Sequence, residues 1–254
     1  MNFQNIPRDD KVVKTAFVPR AGCVFSFFDY QQIEPRILAY FASLKGDPAL
    51  AQRMIDGLDP YTAILVSVYG DKITPEQRQE GKIMFLSLMY GGGVRTIQEQ
   101  FNVDQKKARA MVNKFHKGLP IVRVLQDGVA RTASSRGFVR TPWGRHLHPE
   151  EYGEHKLLNK LIQGSAAHLM KRALLLCETW AEAEGIESRM LSVVHDEIVW
   201  EGPPQELARL NENVPRLMAQ AGDPIQSVVP IGVDHEVGVD NMAEKQDYGN
   251  HIPF

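Results

Sequence analysis

The sequence predicts an α+β fold, a β-sheet domain interrupted by a mostly helical one. Three observations predict it. A short apolar and aromatic run, Val24 to Tyr30, reads as a buried strand near the start of the chain. A long run of helical patterning and helix-capping residues follows it. Strand-like pieces return only late, at Met190–Val194, Ile198–Trp200 and Ile231–Val239. Strands separated by an extended block of helices indicate a sheet with helices segregated from it, rather than a regular alternation of the two.

The elements follow in order. After the first strand, Arg36 to Leu44 and Asp59 to Tyr69 have helical character. Thr74-Pro75-Glu76-Gln77 is a helix start: Thr74 caps, Pro75 suits the first helical position, and Gln77 completes a capping box. That helix is expected to run to about Tyr90 and to stop at Gly91-Gly92-Gly93. Further helices are predicted at Val94–Phe101, Asp104–Lys117 and Ile121–Ser135. Gly137 to His148, with Pro142 and Gly144, reads as a hairpin or irregular ribbon. Glu151 to Glu184 is a long helical stretch with a bend expected near Gly164. The triplet His195-Asp196-Glu197 lies between two apolar strand pieces and reads as a tight hairpin. Pro203 to Ala221 is helical, and Ile231 to Val239 alternates with Ile231, Val233, Val237 and Val239 on one face.

Apolar residues make up 43% of the 254 and charged residues 24%, values ordinary for a soluble globular protein. No apolar run approaches the length of about eighteen that a membrane helix needs, so no membrane partner is expected. Met1 to Phe17 lacks the layout of a signal peptide. Cys23 and Cys177 follow no metal spacing and read as two buried thiols in a reducing compartment. The net charge of −2 conceals an asymmetry: Gln105 to His148 carries +9 and the remainder −11. A local basic surface on an acidic protein suits a polyanion touched on one side, and a solvated basic helix pair is the competing reading.

Two acidic positions carry the candidate chemistry. Asp29 closes an apolar strand, and Asp196 lies at the tip of an apolar hairpin. A carboxylate beside a buried sheet is unfavourable unless compensated, and a divalent cation compensates it. Two such carboxylates on adjacent strands suit a pair of Mg²⁺ ions about 3.5–4 Å apart, as two-metal phosphoryl transfer requires. Taken singly, each aspartate reads more readily as a turn cap. Arg78 and Lys82 are four residues apart on one helix face, and Tyr90 lies about 18 Å beyond Arg78. A triphosphate suits the Arg78/Lys82 end, through a planar fork and a point charge, with the base near Tyr90. An exposed basic pair is the alternative reading.

Five segments in order resemble the motifs of family A DNA polymerases, the bacterial DNA polymerase I family. Asp29-Tyr30-Gln31-Gln32-Ile33-Glu34-Pro35-Arg36 is similar to DYSQIELR, the first motif of the palm. Arg78-x₃-Lys82-x₇-Tyr90-Gly91 resembles the motif of the fingers helix, and Val194-His195-Asp196-Glu197 matches VHDE. Asn159-x₃-Gln163-Gly164-Ser165-Ala166-Ala167 resembles NxxxQGTAA, and Gln4-Asn5-Ile6-Pro7 resembles the QNIP that precedes the palm.

The resemblance implies a palm with an antiparallel sheet and flanking helices, divided into 1–45 and 148–254 around fingers at 46–147. It implies a DNA-directed DNA polymerase using Mg²⁺, with Mn²⁺ an acceptable substitute. Primer–template DNA and deoxynucleoside triphosphates are the implied partners. Asp29 and Asp196 would bind the metals with the Tyr30 carbonyl, and Glu197 would support them. Arg78 and Lys82 would hold the triphosphate, and Lys82 would protonate the leaving pyrophosphate. Glu34 would be the gate against a ribose 2′-hydroxyl. Gln32, Leu86 and Tyr90 would complete the nucleotide site. Asn159, Gln163, His195 and Arg140 would contact DNA, in part through minor-groove acceptors common to every base pair.

Departures from the family pattern are Gln31, Pro35, Leu86, His155 and His168. Pro35 lacks an N–H, which the first turn of a helix tolerates. No thumb or exonuclease is expected, since the chain opens at QNIP. A cytoplasmic enzyme of a bacterial or phage-infected cell is the expected setting, with a protein partner supplying thumb, processivity or exonuclease function. The competing reading is a DNA-binding accessory or split-polymerase subunit, inactive until such a partner supplies the thumb. A single-subunit RNA polymerase is disfavoured by Glu34 and the VHDE segment.

Overall fold

The computed structural model describes residues 11–149 and 156–251. The fold is α+β, and the chain divides into two compact units: Met1–Ile33 with Leu169–Phe254, and Glu34–His168.

The first unit is built on a five-stranded antiparallel sheet. Its strands are β1 (Val24–Tyr30), β4 (Arg189–Val194), β5 (Glu197–Gly202), β6 (Val233–Gly238) and β7 (Gln246–His251), in the spatial order β4-β5-β1-β6-β7. β1 is central, which explains why its sequence is apolar at nearly every position rather than alternating: Phe28 packs on one face and Phe25 and Phe27 on the other, all 2% exposed or less. Helix α10 (Leu207–Ala221) covers the Phe28 side, preceded by a 3₁₀ turn at Pro204–Glu206. The buried Tyr30 hydroxyl donates to the Met218 carbonyl at 2.8 Å, fixing the end of β1 to α10. A small helix, α1 (Lys11–Thr15), precedes β1.

The second unit contains most of α2 (Ile33–Leu44), α3 (Ala49–Ile55), α4 (Pro60–Tyr69), α5 (Pro75–Met89), α6 (Val94–Phe101), α7 (Gln105–Gly118) and α8 (Ile121–Arg136). A two-stranded ribbon follows, β2 (Val139–Arg140) with β3 (His146–Leu147). Helix α9 (Leu157–Ala183) carries the chain into the first unit. α5 begins as its sequence dictates: Thr74 accepts from the Gln77 N–H and the Gln77 side chain accepts from the Thr74 N–H. It ends at Tyr90, where Gly91 takes φ 82, a left-handed turn open to glycine. α4 is capped by Asp59, whose carboxylate accepts from the Tyr61 and Thr62 N–H groups.

Helices α4, α5 and α7 meet around Tyr61, Phe85 and Phe115, whose rings lie 5.9 Å and 6.4 Å apart in sequence order. The approach of α7 to α4 is set by Gly118. A Cβ there would stand 2.5 Å from the Ser67 carbonyl oxygen and 2.7 Å from the Val68 Cα. Both are backbone atoms, so no rotamer change relieves the overlap. Gly118→Ala is therefore expected to destabilise by about 2 kcal/mol or more, read as a lower urea midpoint with an unchanged slope.

Several sequence expectations are refined. α2 starts at Ile33 rather than Arg36, placing Pro35 in the first turn, where its missing N–H has no intrahelical role. The last alternating strand ends at Gly238, and Val239 is 53% exposed rather than on the core face. Cys23 is half-buried rather than buried, while burial pushes the Cys177 thiol up to about 12. α3 and β7 had no sequence signal. Among the described residues, no helix is long and apolar enough to cross a membrane.

Candidate active site

The sheet register gathers carboxylates. Asp29 of β1 is paired directly with Glu197 of β5 and with Asp234 of β6. Like charges directly opposite one another destabilise a sheet, so this arrangement is one that packing alone would not select. The β4–β5 hairpin turns at His195 and Asp196, with Val194 opposite Glu197. His195 takes φ 58, a left-handed conformation that favours glycine and tightens the turn. The Asp196 carbonyl accepts from the Tyr30 N–H at 3.2 Å, which ties the hairpin tip to the end of β1. Gln32 also lies in the left-handed region, at φ 49, in the turn from β1 into α2. The preceding Gln31 donates from its amide to Asp234 Oδ1 at 2.5 Å.

Asp29, His195, Asp196 and Glu197 line one cavity of about 240 Å³ in the first unit. Burial, reinforced by the nearby Asp196 and Glu197 charges, pushes the Asp29 carboxyl up to about 8. Its Oδ1 is buried and has no hydrogen-bond partner. A buried carboxylate oxygen without a donor is an unfavourable state that a divalent cation relieves. Asp29 and Asp196, which line this cavity together, offer oxygen ligands of the kind a hard cation takes. Among the described residues no group of three or more His, Cys, Asp or Glu side chains is placed to hold a metal ion.

In the second unit, α5 presents Arg78 and Lys82 to the start of α4. The Arg78 guanidinium donates to both oxygens of Asp59, from Nη2 at 2.7 Å and Nε at 3.2 Å. Burial alone would raise the Asp59 carboxyl, but the bonds from Arg78 and Thr62 outweigh it and hold it low. Lys82 Nζ lies 5.2 Å from the ring centroid of Tyr61. Further along α5, Leu86 and Tyr90 line a cavity of about 520 Å³ with residues of α6. The Tyr90 hydroxyl donates to Glu34 Oε1 at 3.4 Å and also bonds the Gln163 side chain. Burial, then the Glu34 charge, raises the Tyr90 phenol. Glu34, Tyr90 and Gln163 therefore form one group, while Asn159 is only 5% exposed.

Arg140 is exposed, stacked over Phe138 at 5.0 Å and donating to His146. The ten basic side chains between Gln105 and His148 are all exposed. His168, at the family's Asp position, bonds Thr141 at 3.1 Å. The QNIP segment at 4–7 and His155 lie outside the described residues.

Sequence reasoning missed Asp234, Asp59, Tyr61 and Lys245. Asp234 was visible as a polar position of an alternating strand, and Asp59 as a residue before a helix-opening proline. Neither pattern says which neighbour the side chain meets.

Residues 1–244 match the family model for DNA polymerase family A, and the chain belongs to that family. Among relatives, it is 29% identical to DNA polymerase I of Bacillus caldotenax, over 93% of this chain and 28% of the relative. It is 30% identical to DNA polymerase I of Streptococcus pneumoniae R6, again over 93% of this chain and 28% of the relative. The chain thus spans little more than a quarter of the length of the curated relatives it matches. A solved structure, the POL domain of Pol1 from M. smegmatis in complex with DNA primer-template and dNTP, superposes with a TM-score of 0.84. The match has 28% identity and covers 94% of this chain and 44% of that one. Members of this family generally use divalent metals.

Proposed function

We propose that this chain carries out template-directed DNA synthesis, adding deoxynucleotides to a primer 3′-hydroxyl. The observation that carries the reading is the Asp29 carboxylate, whose buried Oδ1 has no hydrogen-bond partner, in one cavity with Asp196. Family membership and the ligands named for the M. smegmatis structure support primer–template DNA and deoxynucleoside triphosphates as substrates. Palm is assigned to 1–45 and 148–254 and fingers to 46–147; the sheet unit lies within this palm, while residues 34–45 and 148–168 of the palm belong to the helical compact unit.

Asp29 and Asp196, with the Tyr30 carbonyl, would hold two Mg²⁺ ions, for which Mn²⁺ would substitute. When bound, such ions activate the attacking hydroxyl and offset the charge that develops on the leaving pyrophosphate. Glu197 supports the two aspartates from the neighbouring strand position. Arg78 binds the triphosphate as a planar fork, and Lys82 binds it as a point charge and gives a proton to the pyrophosphate. Glu34, held by Tyr90, excludes a 2′-hydroxyl, and Gln32 and Leu86 border the nucleotide. Asn159, Gln163, His195 and Arg140 contact the primer–template, while the exposed basic side chains of α7 and α8 meet phosphates.

The test is primer extension at low salt with Mg²⁺, comparing four deoxynucleotides with four ribonucleotides and including Asp196→Ala. Extension with deoxynucleotides alone, lowered on the order of 10³-fold by Asp196→Ala, is expected. Equal use of ribonucleotides would sink the DNA polymerase reading. DNA binding without any extension would replace it with an accessory or split subunit that needs a partner.

A further inference from the structure

The carboxylate cavity of the sheet unit contains a cation of the protein's own. Lys245 immediately precedes β7, and it lies one residue beyond the stretch that matches the family model. Its Nζ is 2.5 Å from Glu197 Oε2 and 3.5 Å from Glu236 Oε2. It also sits 3.9 Å from the ring centroid of Phe27. The side chain is 23% exposed, and it lines the cavity that Asp29 and Asp196 line.

The sheet register explains the convergence. Phe27 and Asp29 are two apart on β1 and share a face, and their β6 partners are Glu236 and Asp234. That face therefore carries Asp29, Glu197, Asp234 and Glu236 side by side, next to Phe27. The segment between β6 and β7 folds over it. Met242 packs on the cluster of Phe25, Phe27 and Val199, and Lys245 follows three residues later. An ammonium held between two carboxylates and an aromatic face gains from all three at once.

We propose that Lys245 is a resident counter-cation of this carboxylate cluster, stabilising the metal-free sheet and holding down the cluster's affinity for divalent cations. It acts through Glu197 and through its charge, so it is a positioning residue rather than a catalytic one. The part concerning divalent cations rests on the reading of Asp29 and Asp196 as metal ligands. The part concerning the metal-free sheet does not.

The experiment uses the full chain as wild type, Lys245→Gln and Lys245→Arg. Each is melted in EDTA and titrated with Mn²⁺ alone, free Mn²⁺ being followed by electron paramagnetic resonance. Lys245→Gln is expected to lower the melting temperature in EDTA by about 4 °C or more. It is also expected to tighten Mn²⁺ binding about tenfold, because one positive charge no longer opposes the ion. Lys245→Arg keeps both values near wild type. A lysine that merely anchored β7 would leave Mn²⁺ binding unchanged or weaker in Lys245→Gln, and that result overturns the proposal. Should Lys245→Gln be unfolded in EDTA, refolding on addition of Mn²⁺ supports the proposal and failure to refold overturns it. Absence of Mn²⁺ binding by the wild type would instead defeat the assignment of Asp29 and Asp196. The counter-cation then stands or falls on whether Lys245→Gln melts below Lys245→Arg in EDTA.

Discussion

Asp29→Asn is expected to reduce primer extension on the order of 10³-fold or more while making the metal-free protein more stable at alkaline pH. The two effects share one cause. In the native sheet the Asp29 carboxyl is pushed up to about 8, by burial first and then by Asp196 and Glu197. In the unfolded chain it ionises near its ordinary value of 3.8. Between those values the folded state holds a proton that the unfolded state has released. Stability therefore falls as pH rises from about 4 to about 8 and stays low above that. Asparagine keeps the shape and removes the charge, so it removes this pH-dependent penalty. In EDTA, Asp29→Asn is expected to melt at least about 4 °C above wild type at pH 9 and close to it at pH 4. Saturating Mg²⁺ should stabilise the wild type and not the variant, reversing their order at pH 9. Equal melting temperatures in EDTA at pH 9 would mean that the Asp29 carboxylate is not penalised, and the main support for a cation site would be lost.

The same residue shows how far the sequence reaches. That Asp29 lies at the end of a buried strand was legible from Val24 to Tyr30, an apolar run with an acid at its penultimate position. That Asp196 tips a hairpin was legible from the two flanking apolar pieces. Their meeting was not legible, since 167 positions separate them and only strand pairing places β5 against β1. Helices α4 to α8 were readable because each carries its own start or stop signal, such as the Thr74–Gln77 box or the glycines after Tyr90. α3 and β7 were not readable for the opposite reason. α3 is seven residues long with no side-chain cap, and β7 has a polar sequence, Gln246 to His251, whose strand character comes from pairing with β6. Lys245 is invisible for a related reason. Its partners are chosen by the segment leaving β6, and no local pattern announces a lysine that turns inward.

The Arg78 fork distinguishes structural from functional loss more sharply than any other single position. Arg78→Ala is expected to cut the efficiency of deoxynucleotide use on the order of 10²-fold, chiefly as a higher KM for the triphosphate. The fold should hardly change. Arg78 and Asp59 are each about a third exposed, and an ion pair in that setting contributes about 1 kcal/mol or less. Asp59 also continues to cap α4 through the Tyr61 and Thr62 N–H groups without Arg78. Arg78→Lys should recover little, because a point charge does not reproduce two parallel N–H donors. Asp59 adds a second arm. Asp59 holds the Nε and Nη2 edge of the fork, so a triphosphate bound at Arg78 as proposed would compete with it for those donors. Asp59→Asn keeps a competent helix cap and removes the competing charge. That variant is expected to lower the KM for deoxynucleotides severalfold, on the scale of one charge-assisted bond, while Arg78→Ala raises it. Both are read from steady-state single-nucleotide incorporation. An Asp59→Asn variant with the KM of Arg78→Ala would show instead that Asp59 positions the fork for the phosphate. Equal KM values for Arg78→Ala and the wild type would remove Arg78 from the nucleotide site altogether.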